Sequence, residues 1–239
     1  MEALQSQQIL DNKETQPLST RSDHLLLPHM PLQFDDISSP ARQRVEQYIT
    51  ACFYRSYQAK ITDFLPYLLS THSHDKLTAT IGFQPAATKQ PLFLEQYTTQ
   101  KIELEIGDLV SQTVERNQIV EIGNLTSCHY GKASQVLFIL TVAILHQAGF
   151  KWVTFTATKQ VQSLLKKLNL ITIEICSAGP ENLTDKGAVW GHYYDDVPTV
   201  LAGNLTAAMT QLNKHKVIRF LLSSYHNNII VIAHQLKEP

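Results

Sequence analysis

A run of reactive side chains lies between Leu125 and Gln135 in the 239-residue sequence and reads T-S-C-H-Y-G-K-A-S. A loop of this kind, set between a strand and a long helix, receives the helix's first free N–H groups, which carry partial positive charge. Gly131 lets the backbone approach a ligand with no Cβ in the way. Lys132 adds a point charge. The chemistry this arrangement predicts is anion binding, of a phosphate or pyrophosphate in particular. The plainer reading is an ordinary loop that leads into a helix, since one glycine falls short of a full glycine-rich fingerprint. Cys128 and His129 are adjacent, but neighbours in extended chain point apart and no carboxylate pattern completes them, so no Cys–His nucleophile is predicted. His72 and His74 form H-S-H without a third ligand, so no metal site is predicted.

Those residues need a scaffold, and the periodicity of Gln118–Leu170 supplies one. It reads as a strand (Ile119–Leu125), the polar loop, a long helix apolar nearly all round (Ser134–Ala148), a strand (Trp152–Thr158) and a short amphipathic helix (Val161–Leu168). Gly149 is a suitable helix stop. Upstream, the pattern predicts a strand near Met30–Phe34 and a helix started by Ser39 and Pro40 and running to about Tyr57. A short strand is expected over Thr62–Leu69, and an alternating one over Leu77–Phe83. Leu92–Tyr97 reads as a short strand or a helical turn, and Ile102–Val114 as a helix. Downstream, the expectations are a strand over Ile171–Cys176, helices around Leu205–Leu212 and from about Val217, and a last strand over Ile229–Ala233. Alternation of strands and helices implies an α/β fold: a mixed, partly parallel sheet flanked by helices. Residues 1–28 read as a mobile polar tail and residues 29–239 as a single domain.

Bulk properties narrow the function. Hydrophobic residues make up 44 % and charged residues 17 %, enough apolar mass for a real core. A formal net charge of -1 gives no footprint for nucleic acid and no strongly basic membrane-binding surface. Three scattered cysteines argue against a disulfide framework and for a reducing compartment. The first residues lack the apolar core of a secretory signal. Together these predict a cytoplasmic protein. The apolar run Val136–Leu145 is too short to span a bilayer, and no basic amphipathic helix is evident.

Several runs occur together in order: RQRVEQYITACFYRSYQA (Arg42–Ala59), LFLEQYTTQKIE (Leu92–Glu103), IVEIGNLTS (Ile119–Ser127), WVTFTAT (Trp152–Thr158), KLNL (Lys167–Leu170) and WGHYYDDVPTVLAGNL (Trp190–Leu205). This set resembles the thermostable hemolysin family over roughly Pro31 to Leu205. The resemblance implies a GNAT-like fold, related to the N-acyltransferases and the acyl-homoserine-lactone synthases. It implies a cosubstrate thioester, acyl-CoA or an acyl carrier protein conjugate, and a small amine or amino acid as acceptor. On this reading Ile119–Leu125 and Trp152–Thr158 splay apart and the thioester sits between them.

The resemblance also implies roles. Glu121 would be the general base. Asn124, where the lactone synthases carry an arginine, would hydrogen-bond a substrate carbonyl or carboxylate. The helix after Trp152–Thr158, the usual place for the acid that protonates the leaving thiolate, has no tyrosine, so Tyr193 or Tyr194 would substitute for it. Glu95 and Glu103 would meet the acceptor amine or serve as surface acids. Leu125, Ser127, Tyr130, Gly131, Lys132 and Ala133 would hold the pantetheine pyrophosphate, with Thr156 on the second wall. Gln84 replaces the arginine of the family's G-x-R-x-A strand and Gln135 replaces one after the loop glycine, which removes two bidentate anion contacts. Two other functions fit the same family: membrane lysis, direct or through a lipid-like product, and thioester binding without catalysis.

Overall fold

The computed structural model describes residues 30–127 and 132–236. Its seven strands form one sheet in the order β1-β2-β3-β4-β5-β7-β6. They are β1 (Leu32–Asp35), β2 (Tyr67–Ser73), β3 (Lys76–Pro85), β4 (Ile119–Thr126), β5 (Trp152–Ala157), β6 (Ile173–Ser177) and β7 (Thr199–Asn204). The helices are α1 (Arg42–Tyr57), α2 (Ile102–Val110), α3 (Lys132–Gln147), α4 (Lys159–Lys167), α5 (Leu205–Leu212), α6 (Lys216–Ser224) and α7 (His226–Gln235). A 3₁₀ turn spans Phe93–Gln96. Every pairing is antiparallel except β4 with β5, which is parallel.

Side-chain alternation assigns the two faces. Ile81, Phe83, Val120, Ile122, Val153, Phe155 and Leu201 share a core with α3. Their neighbours Ile119, Val200 and Ala202 pack instead with Ile102 and Ile106 of α2. Leu68 packs on α1 through Val45, Ile49 and Phe53. So α1 and α2 cover one face and α3 the other. A helix apolar all round must be covered on its outer side as well. That cover is the C-terminal segment: α7 lays Ile229, Ile232, Ala233 and Leu236 into the α3 core.

This packing corrects the expected last strand over Ile229–Ala233. The β-branched run Ile229–Ile232 has strand propensity, but burial falls at Ile229, Ile232, Ala233 and Leu236, a helical spacing. Strand β7 was not anticipated, although it pairs with β5 over its whole length and places β6 at the edge. Residues Thr62–Leu65 stay outside the sheet, and β2 begins after Pro66. Ser39 is not the helix cap; its hydroxyl closes a turn with the Asp36 backbone N–H and carboxylate, and α1 starts at Arg42. Helix α2 ends at Val110 because Ser111 is left-handed, with φ 54°. Cys176 is a free thiol whereas Cys52 is disulfide-bonded, which corrects the reading of the cysteines as reduced thiols.

Candidate functional site

The parallel pairing of β4 with β5 lasts only from Ile119↔Trp152 to Glu121↔Thr154, although both strands continue further. Beyond that point they separate. Backbone groups of β4 that would have faced β5 turn to a cleft of about 1410 Å³. Its walls come from both faces of the sheet. Phe138, Val161 and Leu164 belong to the α3 and α4 side; Phe53, Trp190 and Tyr193 belong to the α1 side. The cleft therefore passes through the gap between the two strands.

Glu121 marks the apex of that gap. Its side chain lies on the α1/α2 face, opposite Gln84 of β3. The residue is 4 % exposed. Its Oε2 accepts from the Phe93 N–H at 2.8 Å and its Oε1 from the Leu94 N–H at 3.2 Å. Both donors open the 3₁₀ turn, so the turn acts as a two-pronged holder for the carboxyl group. Burial raises the pKa, the two N–H bonds lower it, and the nearby Glu95 charge raises it; the result is about 8. Such a group exchanges its proton near neutrality, as a general base must.

The turn is itself fixed from below. Arg116 forks onto both oxygens of Glu95, at 2.6 and 2.9 Å, and reaches Glu103 at 2.7 Å. Its Nε donates to the Ala86 carbonyl at 2.8 Å. Glu95 also accepts from the Leu92 and Ile102 N–H groups. Burial pushes Glu95 upward, but the Arg116 and backbone hydrogen bonds outweigh it and hold its carboxyl below the ordinary value. Glu95 and Glu103 are therefore committed to Arg116. The expectation that they meet an acceptor amine is corrected. Nothing local in the sequence around Arg116 signals this clamp, whose partners lie 13 and 21 residues away.

Asn124 lines the cleft, but its amide has a structural task. It sits at φ 49° in a bulge of β4 against β3, and its Oδ1 accepts from the Leu65 N–H at 3.0 Å. Gly82 permits this approach, since a Cβ there would stand 3.0 Å from Asn124 Oδ1 and 3.1 Å from Leu65 Cβ. Only the Nδ2 of Asn124 is left for a substrate. Leu125, Ser127 and Thr156 also line the cleft. The Ser127 hydroxyl donates to the Thr78 carbonyl at 3.0 Å, fixing the end of β4 to β3. Ala133 packs against the α3 core and is not among the lining residues. Tyr130 and Gly131 lie outside the described residues, as does the side chain of Lys132, so the expected pyrophosphate loop is not described by the structure.

Tyr193 belongs to an aromatic wall. Its ring stands 6.1 Å from Phe53, 5.1 Å from Tyr57, 5.2 Å from Trp190 and 5.1 Å from Tyr194. Trp190 continues the wall to Phe93 at 5.6 Å. The segment is pinned to the end of α1: the His192 N–H donates to the Tyr57 carbonyl and the Lys60 N–H to the Val189 carbonyl. Gly191 makes this possible, with φ 52° and a position where a Cβ would lie 2.1 Å from the Tyr57 oxygen. Burial, then the neighbouring Tyr194 and Tyr57 phenols, push the Tyr193 hydroxyl well above its ordinary value. That works against proton donation to a thiolate. Behind it, the Tyr97 and Tyr194 hydroxyls share a hydrogen bond of 2.5 Å, a pair that the sequence did not suggest. Gln84 lies beside Glu121, with its amide nitrogen donating to Thr88 and to the Gln90 and Pro91 carbonyls. Among the described residues no cluster of His, Cys, Asp or Glu could hold a metal ion.

Solved structures place this architecture. FeeM, an N-acyl amino acid synthase from uncultured soil microbes, superposes with a TM-score of 0.51 at 12 % identity, covering 77 % of this chain and 95 % of its own. TofI in a ternary complex with an inhibitor and MTA gives 0.52 at 8 % identity, covering 79 % and 100 %. BjaI, a CoA-dependent acyl-homoserine lactone synthase seen with SAM and isopentyl-CoA, gives 0.51 at 8 % identity, covering 77 % and 89 %. At these identities the likeness is one of fold, and the fold is GNAT-like, as the resemblance implied. No curated protein matches the sequence. The profile of the thermostable hemolysin family matches residues 36–209, from the turn before α1 to the middle of α5, and so takes in every element that builds the cleft; the chain belongs to that family.

Proposed function

We propose that the protein is an N-acyltransferase, moving an acyl group from a thioester of coenzyme A or of an acyl carrier protein to a small amine. The observation that carries this reading is Glu121: a buried carboxyl with a pKa near neutrality, held by two backbone N–H groups at the apex of a splayed parallel strand pair. The cleft gives a thioester access from the α3 side and an amine access from the α1 side. The amine nitrogen attacks the thioester carbonyl carbon. Its proton passes to Glu121, directly or through water, as the C–N bond forms. The negative oxygen is met by backbone N–H of β4 turned to the gap. The C–S bond then breaks, and the thiolate takes a proton returned from Glu121.

The test is release of free thiol from acyl-CoA or acyl carrier substrates, with the acylated amine identified by mass spectrometry. Thiol release that depends on added amine supports the reading. Binding of acyl-CoA with no turnover across a broad amine panel identifies a non-catalytic binder instead.

A second reading has one observation in its favour. Among the described residues no helix is long and apolar enough to cross a membrane. Yet α6 is a short basic amphipathic helix, contrary to expectation: Lys216 and Arg219 flank the exposed Val217 and Phe220. Ile230 and Val231 of α7 are exposed too, and residues 199–236 contain no acid. These exposed groups of the C-terminal segment fit contact with an anionic lipid surface, as a haemolytic role or the handling of a lipid-like product would need.

A further inference from the structure

The two halves of the cleft differ in chemistry. The half toward α3 and α4 is aliphatic and phenylalanine-lined, through Leu125, Phe138, Phe155, Val161 and Leu164. The half toward α1 is built from aromatic rings with carboxyl groups at its margins: Phe53, Tyr57, Phe93, Trp190 and Tyr193, with Asp63 and Asp185. The aromatic half begins at the Glu121 carboxyl itself, since the residue whose N–H holds it, Phe93, has its ring tilted against Trp190. An amine delivered to Glu121 from this side must lay its body along the rings.

Charge decides what that body can carry. Lys167 is the only Lys or Arg among the described lining residues. It stands on α4, whose apolar side packs into the α3 core, away from the aromatic wall. Arg116, the nearest guanidinium to the turn, is consumed by Glu95, Glu103 and Ala86. A carboxylate-bearing acceptor would therefore bring a negative charge with no cation to balance it among acids and π faces, which repel it. A cation is favoured by the same surroundings, through the ring faces and the two aspartates.

Resting on the acyl-transfer reading, we infer that the acceptor is a primary amine with an aromatic or apolar body and no carboxylate, seated on the Phe93–Trp190–Tyr193 wall. The acyl chain takes the aliphatic half. The experiment uses the full chain and two probes that differ only in a carboxylate, phenethylamine and L-phenylalanine. Calorimetric titration measures binding of each, and thiol release from acyl-CoA measures transfer to each. Phenethylamine is expected to bind at least about tenfold more tightly, the discrimination typical of a site with an unpaired buried group. Trp190→Leu, checked for folding by circular dichroism, is expected to weaken phenethylamine binding at least about fivefold while acyl-CoA binding holds. Tyr193→Phe, which keeps the ring, is expected to retain amine binding. Equal or tighter binding of L-phenylalanine overturns the inference, as does no binding of phenethylamine. Weakened acyl-CoA binding in Trp190→Leu with unchanged amine binding also overturns it, by assigning the wall to the acyl chain. Phenethylamine binding as expected without any thiol release overturns the acyl-transfer reading and leaves the amine site standing.

Discussion

The Glu121 carboxyl sets opposing pH dependences for stability in the protein and in its Glu121→Gln variant. Folding raises the pKa of Glu121 from an ordinary 4.5 to about 8. The folded state thus binds more protons than the unfolded state between those values, and stability falls as pH rises through that window. At about 1.4 kcal/mol for each pH unit, the loss approaches an upper bound of about 5 kcal/mol by pH 8. Glutamine carries no such penalty, but it has one carbonyl oxygen where the carboxyl has two acceptors. One of the Phe93 and Leu94 N–H groups then faces an amide NH₂ and goes unsatisfied, at a cost of about 1–3 kcal/mol. The variant should therefore be less stable than the parent near pH 5, where the parent carboxyl is protonated, and more stable near pH 9, where it is charged. For a chain of this size a difference of 2 kcal/mol moves the melting temperature by roughly 4–8 °C. Differential scanning calorimetry of both proteins from pH 5 to 9 reads the crossover. Parallel melting curves with no change of order would refute the assignment of a raised pKa to Glu121.

Other substitutions probe the supports around it. Arg116→Met strands Glu95 in a half-buried position and should cost about 3 kcal/mol in a urea melt, with the pH profile of any activity displaced because the turn holding Glu121 loosens. An unchanged melt would show that the clamp is dispensable. Gly191→Ala forces a Cβ against the Tyr57 carbonyl and should cost about 2 kcal/mol or more while altering tryptophan fluorescence, as the neighbouring Trp190 shifts with it. Val217→Ser with Phe220→Ser should reduce cosedimentation with anionic vesicles by about tenfold if α6 meets lipid, and leave thermal stability nearly unchanged because both side chains are exposed.

Much of the scaffold could be read without coordinates. The run from β4 to α4 is local and strongly periodic, so its elements were legible; the separation of its strands and the role of Glu121 came only with the family resemblance. The errors came where distant contacts outweigh local preference. The segment Ile229–Ala233 is β-branched and reads as a strand, yet α3 needed an outer cover and recruited it as helix. Strand β7 follows a proline and contains a glycine, weak local signals that only pairing with β5 and β6 makes decisive. Glu95 and Glu103 look like free acids in sequence because Arg116 meets them only after the chain has turned back. Asn124 falls at a strand end where an amide could serve substrate or backbone. The bulge and the Leu65 N–H settle that its oxygen serves the backbone.

The central claim is that Glu121 accepts a proton from an attacking amine in the gap between β4 and β5. It is tested most directly by the rate of amine-dependent thiol release from acyl-CoA as a function of pH, for the parent and for Glu121→Gln. The account predicts a parent rate that climbs with an apparent pKa near 8 and a variant rate lower by about 10²–10⁴-fold with that step in the profile gone. A variant that retains the parent's rate and pH profile would contradict it.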